Sequence, residues 1–310
     1  MSAAGAPAAT EHTGSFDAET IAAFRAHPDF PRHALALARV FIDQFAGNRF
    51  LNLITNDRGR IMVAQTVLYL HYTRDPGDPA SGLSSSRLKA FCAQHGICSP
   101  GRAAAMLAVM RMSGHVIPAP AAKDRRVRLL IPAPKLLDEF LIRWTGYFDA
   151  LAQMMPQTAD IARAARENDR FAQAFVCELI GQFIAGERLM DHMPRRLAVF
   201  TDANGGALMF LSLFVAAGSD GPPEGGRHVQ LPISELARRF GVSRAHVKQV
   251  LKGAQEKELL ILDDGTGEGI YLTPLFMDHA YQWFAVMFAL ELHTGRRALE
   301  GAAKAAPRDA

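Results

Sequence analysis

The chain has 310 residues, 49% of them apolar, and a formal net charge of +3. That length and apolar content can bury sizeable cores, as two domains or one duplicated one, while so small a charge is in itself no argument for a nucleic-acid partner. The three cysteines, Cys92, Cys98 and Cys177, show no CxxC spacing, and the eleven histidines are scattered without an HExxH pair. This pattern offers no metal framework and fits a reducing, cytoplasmic setting, with a Cys92–Cys98 redox exchange as the sharper reading and small buried hydrophobes as the ordinary one. Nucleophile elbow, phosphate loop and isolated acid pair are all missing, so neither an enzyme nor a cofactor is expected. The most apolar window, 281–290, is flanked by Asp278, His279 and Glu291 and is too short to span a bilayer, so no membrane role is expected.

Residues 1–15, without a basic start or an apolar run, read as a disordered tail, as does 297–310. A first half, 16–150, opens with the helical stretches TIAAFRAH and ALALARVFIDQF. After the segment RFLNLITNDRGR (49–60) comes an apolar helix at 61–72 and then a more polar one, 84–96, carrying Leu88, Phe91 and Cys92 and capped by Ser84 to Ser86. Ser99 caps the next helix, with Pro100 at its first position where a missing N–H does no harm. That helix, PGRAAAMLAVMRMSG, offers only Arg102 and Arg111 as long polar side chains. The hairpin HVIPAPAAKDRRVRLLIPA follows, its arm bearing Lys123, Arg125, Arg126 and Arg128 against one acid, Asp124, a set able to grip phosphates. A long helix, KLLDEFLIRWTGYFDALAQMM, closes the half.

The second half, 151–296, repeats this order. RRLAVFTDANGG (195–206) echoes 49–60, with Arg49, Leu51, Thr55 and Gly59 matching Arg195, Leu197, Thr201 and Gly205. Ser99 falls on Ser243, Met106 on Val250, Leu107 on Leu251 and Ile117 on Ile261; Asp138 and Phe148 fall on Asp278 and Phe288. Ile233, Leu236, Ala237 and Phe240 are spaced as one helix, and after a Gly-Val-Ser break Val247, Val250 and Leu251 as another, which Ser243 caps. Arg244, His246, Lys248, Gln249 and Lys252 are left on its other faces, and Arg238 and Arg239 sit on the preceding helix within reach of phosphates. LLILDD and IYLT, separated by GTGEG, then signal a hairpin whose tip is acidic, with Asp263, Asp264 and Glu268.

Helix, tight turn, helix and β-hairpin together define a winged helix, expected at 61–135 and again at 207–274. The expected fold is mainly α with small β-hairpins: two winged helix-turn-helix units in one chain, joined by long helices and related by a pseudo-twofold axis like a fused dimer.

The stretch KDRRVRLLIP resembles the wing signature of MarR-type transcriptional regulators, an Asp-x-Arg followed by a strand. The resemblance implies that Asp124 orients Arg126 toward the DNA minor groove or backbone. The family's strand ends in Leu-Thr; the first wing has Ile131-Pro132 there, while the second has Leu272-Thr273-Pro274 but lacks Asp-x-Arg, so the signature is divided between the halves. The family's homodimers intertwine their terminal helices and hold two recognition helices about one DNA turn apart. The implied partner is double-stranded DNA, contacted by a pseudo-twofold monomer or a homodimer of such chains. The implied roles are a first half that grips with its wing and a second that reads bases with its helix. Trp144, Trp283, Phe284, Met287 and Phe288 are expected to pack between the halves, and the resemblance also admits a small aromatic effector there. Two rival readings are a plasmid-type replication initiator and a tandem winged-helix scaffold for protein partners.

Overall fold

The computed structural model describes residues 16–45, 58–75, 77–78, 81–120, 129–218, 225–263 and 269–304. Its first helices are α1 (Ala18–Ala26), started by Asp17, whose carboxylate accepts from the Thr20 N–H at 2.7 Å, and α2 (Phe30–Phe45). In α2 the buried positions Phe30, Ala34, Leu37, Ala38, Phe41 and Phe45 recur every three or four residues, so one stripe faces the interior. Next come α3 (Arg58–Tyr72), α4 (Ser85–Gln94) and α5 (Pro100–Met112), with Ser84 and Ser99 as the N-caps of the last two. Strands β1 (Val116–Pro118) and β2 (Leu130–Pro132) pair antiparallel with Ile117 opposite Ile131, and α6 (Pro134–Met154) leads away.

A single 3-10 turn joins α6 to α7 (Ala159–Glu167), and the Asn168 side chain caps α8 (Asp169–Ile184). The short α9 (Ala198–Thr201) precedes α10 (Gly206–Ala217), which is entered through Gly205 at φ +68, a conformation that glycine adopts without steric cost. Then follow β3 (Arg227–Gln230), α11 (Ile233–Phe240), α12 (Arg244–Glu256), β4 (Leu260–Leu262), β5 (Gly269–Leu272) and α13 (Pro274–Lys304). The described residues are thus mainly helical with two small antiparallel sheets, the second in the order β3-β5-β4 with Val229 opposite Ile270 and Ile261 opposite Tyr271.

Strand β3 has no counterpart in the sequence expectation, because Arg227, His228 and Gln230 around the buried Val229 carry no apolar alternation. In the first half the corresponding place, just ahead of α4, shrinks to one bond: Leu130 N–H donates to the Leu83 carbonyl at 2.9 Å.

Helices are exchanged between the halves. Helix α2 packs on α10 and α1 on α13, while α8 packs on α3 and α7 on α6, so each pair of leading helices covers elements of the opposite half. Matching aromatic contacts stand at both places: Phe288 meets Phe30 edge to face at 5.8 Å, and Phe148 meets Phe171 edge to face at 5.6 Å. The apolar core is continuous across the halves, with Phe148, Phe175, Phe284 and Phe288 almost wholly buried.

One boundary differs from the sequence reading. Helix α13 runs through Lys304, so 297–304 is helix rather than tail. Ala298 and Ala302 are buried along it, and Arg297 pairs with Glu178 of α8 at 2.7 Å; small side chains let the helices approach closely, and alanine has the highest helix propensity. The expected tail 1–15 and residues 305–310 lie outside the described residues, as does most of the segment 49–60. Among the described residues no single helix is long and apolar enough to cross a membrane.

Candidate nucleic-acid interface

The turn that launches α12 is closed by Gly241 at φ +66 and by Val242 N–H donating to the Ala237 carbonyl at 3.1 Å. Ser243 Oγ then accepts from the His246 N–H at 3.1 Å, satisfying one of the unpaired donors of the first turn. Val247, Val250, Leu251 and Ala254 are buried beneath the helix. Arg244, Lys248 and Lys252 are exposed at successive four-residue steps, with Gln249 exposed beside them. Three cations therefore form a ridge about 12 Å long, the span of about three or four base pairs. Arg238 of α11 is exposed and shares a shallow depression with Arg244, Ser234 and Glu235, which adds a fourth cation at the same end of the ridge.

Two residues expected on this face are engaged elsewhere. The imidazole of His246 lies 2.9 Å from the Asn204 carbonyl, fastening α12 to the turn before α10. The Arg239 guanidinium stands 3.5 Å from the Asp43 carboxylate, joining α11 to α2 of the other half. Both are half-buried, and their partners come from elements that the helix pattern alone does not identify.

The first unit offers different chemistry. Ser99 caps α5 by accepting from the Arg102 N–H at 3.3 Å. The exposed side of α5 carries Gly101, Ala105, Ala108 and Met112, the last 86% exposed, with Arg102 and Arg111, also exposed, near the two ends of the helix. The hairpin closes where Ala119 N–H donates to the Leu129 carbonyl at 3.0 Å. Lys123, Asp124, Arg125, Arg126 and Arg128 lie outside the described residues, as do Asp264 and Glu268 of the second hairpin.

Several anchoring residues escaped sequence reasoning. Lys135 donates to the Ser113 carbonyl and so caps the C-terminal end of α5. Arg188, beyond α8, stacks 3.8 Å over Phe183 and donates to the His95 carbonyl at 3.4 Å, pinning the turn between α4 and α5. Between the halves lies a buried polar group formed by Gln44 of α2, Glu139, Arg143 and Tyr147 of α6 and Glu291 of α13. Gln44 Nε2 donates to Glu139 Oε2 at 3.0 Å, and the Arg143 guanidinium lies 5.1 Å from the Phe140 ring and 5.5 Å from that of Phe45. Burial pushes the Glu291 carboxyl up to about 8 against the opposing pull of Arg143, drives Arg143 down to about 10, and holds Tyr147 well above the usual phenol range. A lone acid inside the apolar run AVMFALEL was the signal available in the sequence.

Trp144, Phe284 and Phe288 are buried in the packing between the helices, with Trp283 and Met287 half-buried at its margin. Among the described residues no group of three or more His, Cys, Asp or Glu side chains could hold a metal ion. Comparison with protein-family models, with curated proteins and with solved structures finds no match.

Proposed function

We propose that the protein is a sequence-specific regulator that binds double-stranded DNA, built as a fused, pseudo-twofold pair of winged helices of MarR-like type. The observation that carries this reading is the exposed row Arg244, Lys248 and Lys252 with Gln249, on a helix set squarely by its cap and turn. The order of helices and strands in both halves supports it, as does the exchange of α1–α2 and α7–α8 across the halves, the arrangement an intertwined dimer would have if its subunits were joined. In this reading α12 enters the major groove, where Arg and Lys suit guanine edges and Gln suits adenine. Arg238 then meets phosphates. The basic residues Lys123, Arg125, Arg126 and Arg128 grip the backbone, and α5 contributes shape and thymine-methyl contact rather than hydrogen-bonded readout. A small aromatic effector acting between the halves would change the spacing of α5 and α12, and so the affinity.

The row Gly101, Ala105, Ala108 and Met112 favours a second reading, in which the first unit seats a protein partner. Fluorescence anisotropy against mixed genomic fragments, with sequencing of the retained DNA, separates the two. Each phosphate contact adds about −0.9 to the log–log salt slope, so several contacts give a steep loss of affinity between roughly 50 and 200 mM salt. A steep slope with an enriched, partly palindromic site supports the regulator; flat, weak binding without enrichment refutes it and leaves the protein-partner reading.

A further inference from the structure

The turns into α5 and α12 differ in one respect. Both leave the preceding helix through a glycine at φ +66, Gly96 and Gly241, and both close with the same bond: Ile97 N–H to the Cys92 carbonyl at 2.9 Å, and Val242 N–H to the Ala237 carbonyl at 3.1 Å. The second turn proceeds straight to its cap, Ser243. The first contains one more residue before Ser99, and that residue is Cys98.

Its backbone N–H lies 3.4 Å from the Cys92 carbonyl, and its side chain is near enough to that of Cys92 to help push the Cys92 thiol up. Cys92 is fully buried, Cys98 half-buried. The Cys92 carbonyl thus accepts from both Ile97 and Cys98, and this tight turn brings the half-buried Cys98 back onto Cys92, the closeness of backbone from which a disulfide can form. On its far side the turn is held by Arg188 on the His95 carbonyl and by the Phe91 ring, 4.4 Å from that of His95.

We propose that Cys92 and Cys98 form a reversible disulfide on exposure to hydroperoxides, and that this bond restrains the turn leading into α5. This inference stands whether or not the protein binds DNA. Cys98 is the attacking sulfur, since it is reachable and stands at the N-terminal end of α5, where the helix dipole favours an anion. Burial pushes the Cys92 thiol up to about 12, which suits a resolving partner that stays protonated until it reacts. With hydrogen peroxide, the Cys98 thiolate attacks one oxygen and the O–O bond breaks. Hydroxide leaves and takes a proton to become water, and Cys98 becomes a sulfenic acid. The Cys92 sulfur then attacks the Cys98 sulfur. The S–O bond breaks, an S–S bond forms, and the Cys92 proton leaves with the hydroxyl as a second water. Two thiols have together given two electrons to one peroxide.

The test uses the full-length protein, fully reduced and then treated with hydrogen peroxide at neutral pH. After denaturation the remaining thiols are blocked with N-ethylmaleimide, and the protein is mapped by mass spectrometry. The expected result is one blocked thiol, at Cys177, with the Cys92 and Cys98 peptides linked and the linkage reversed by dithiothreitol. Cys177→Ser should form the same bond and Cys98→Ser should not. Amide hydrogen exchange over 95–103 should slow several-fold on oxidation. Linkage through Cys177, stable sulfinic acid at Cys98 with Cys92 still free, or a mapped disulfide without any slowing of exchange would each overturn the proposal.

Discussion

Glu291 gives the sharpest handle on how the halves are joined. Its side chain is 4% exposed, its Oε2 has no hydrogen-bond partner, and burial raises its carboxyl from the ordinary 4.5 to about 8, with the Arg143 charge pulling the other way. The folded protein therefore keeps a proton that the unfolded chain gives up. Stability from this group is complete below about pH 4.5 and falls as the pH rises, until the folded carboxyl too has ionised above about 8. Converted at 1.36 kcal/mol per pH unit of displacement, the whole change is about 5 kcal/mol. Glu291→Gln keeps the shape and removes the titration, so urea unfolding at about pH 4, 7 and 9 should find the two proteins equally stable at the acid end, with the variant ahead by up to about 5 kcal/mol at the alkaline end. Taking the difference between the proteins cancels the buried histidines His33, His71, His115 and His293, which burial pushes down in both. Parallel stability curves for the two proteins would refute the reasoning.

Ser243→Ala removes the acceptor for the His246 N–H and should cost about 1 kcal/mol in denaturant titration, with α12 fraying at its start. A Cβ at Gly206 would stand 2.1 Å from the Phe200 carbonyl oxygen, which belongs to the backbone and cannot swing aside. Gly206→Ala should therefore lose about 3 kcal/mol, seen as a lower Tm; an unchanged Tm would contradict the packing at the entrance to α10. In the DNA assay Lys248→Ala should lower discrimination between the preferred site and its single-base variants by about 1 to 3 kcal/mol. Arg239→Ala, whose guanidinium is occupied by Asp43, should leave affinity close to that of the unmodified protein; the reverse ranking would move the contact surface from α12 to α11.

What could be read from the residues was the local chemistry. Ser84, Ser99 and Ser243 are caps because a serine hydroxyl reaches a donor three residues on, a relation that needs no knowledge of the rest of the chain. The hairpins ending in Ile131-Pro132 and Leu272-Thr273 were legible for the same reason. The partners of His246 and Arg239 could not be read, because a polar side chain on a helix is assigned to solvent until its neighbours are known, and here they are the turn at Asn204 and α2 of the other half. The end of α13 was misplaced because Ala298 and Ala302 are too small to register as an apolar stripe, although they are buried. The Arg143–Glu291 group could not be paired from sequence, since its members come from α6 and α13, which meet only where those two helices pack on each other.

That exchange also constrains the chain while it is being made. The apolar stripe of α2, ending at Phe45, is covered by α10, whose last residue is Ala217, and α1 rests on α13, which is later still. At about 5 to 20 residues per second, a ribosome needs roughly 10 to 30 s to cover that separation. Throughout that interval the first two helices have left the exit tunnel with Phe24 and Phe30, which end against Phe288 of α13, facing water. A chain stalled before α10 presents these side chains as a ready surface for chaperones. Tying the last-made helices to the first makes completion of the whole polypeptide a condition for burying its beginning.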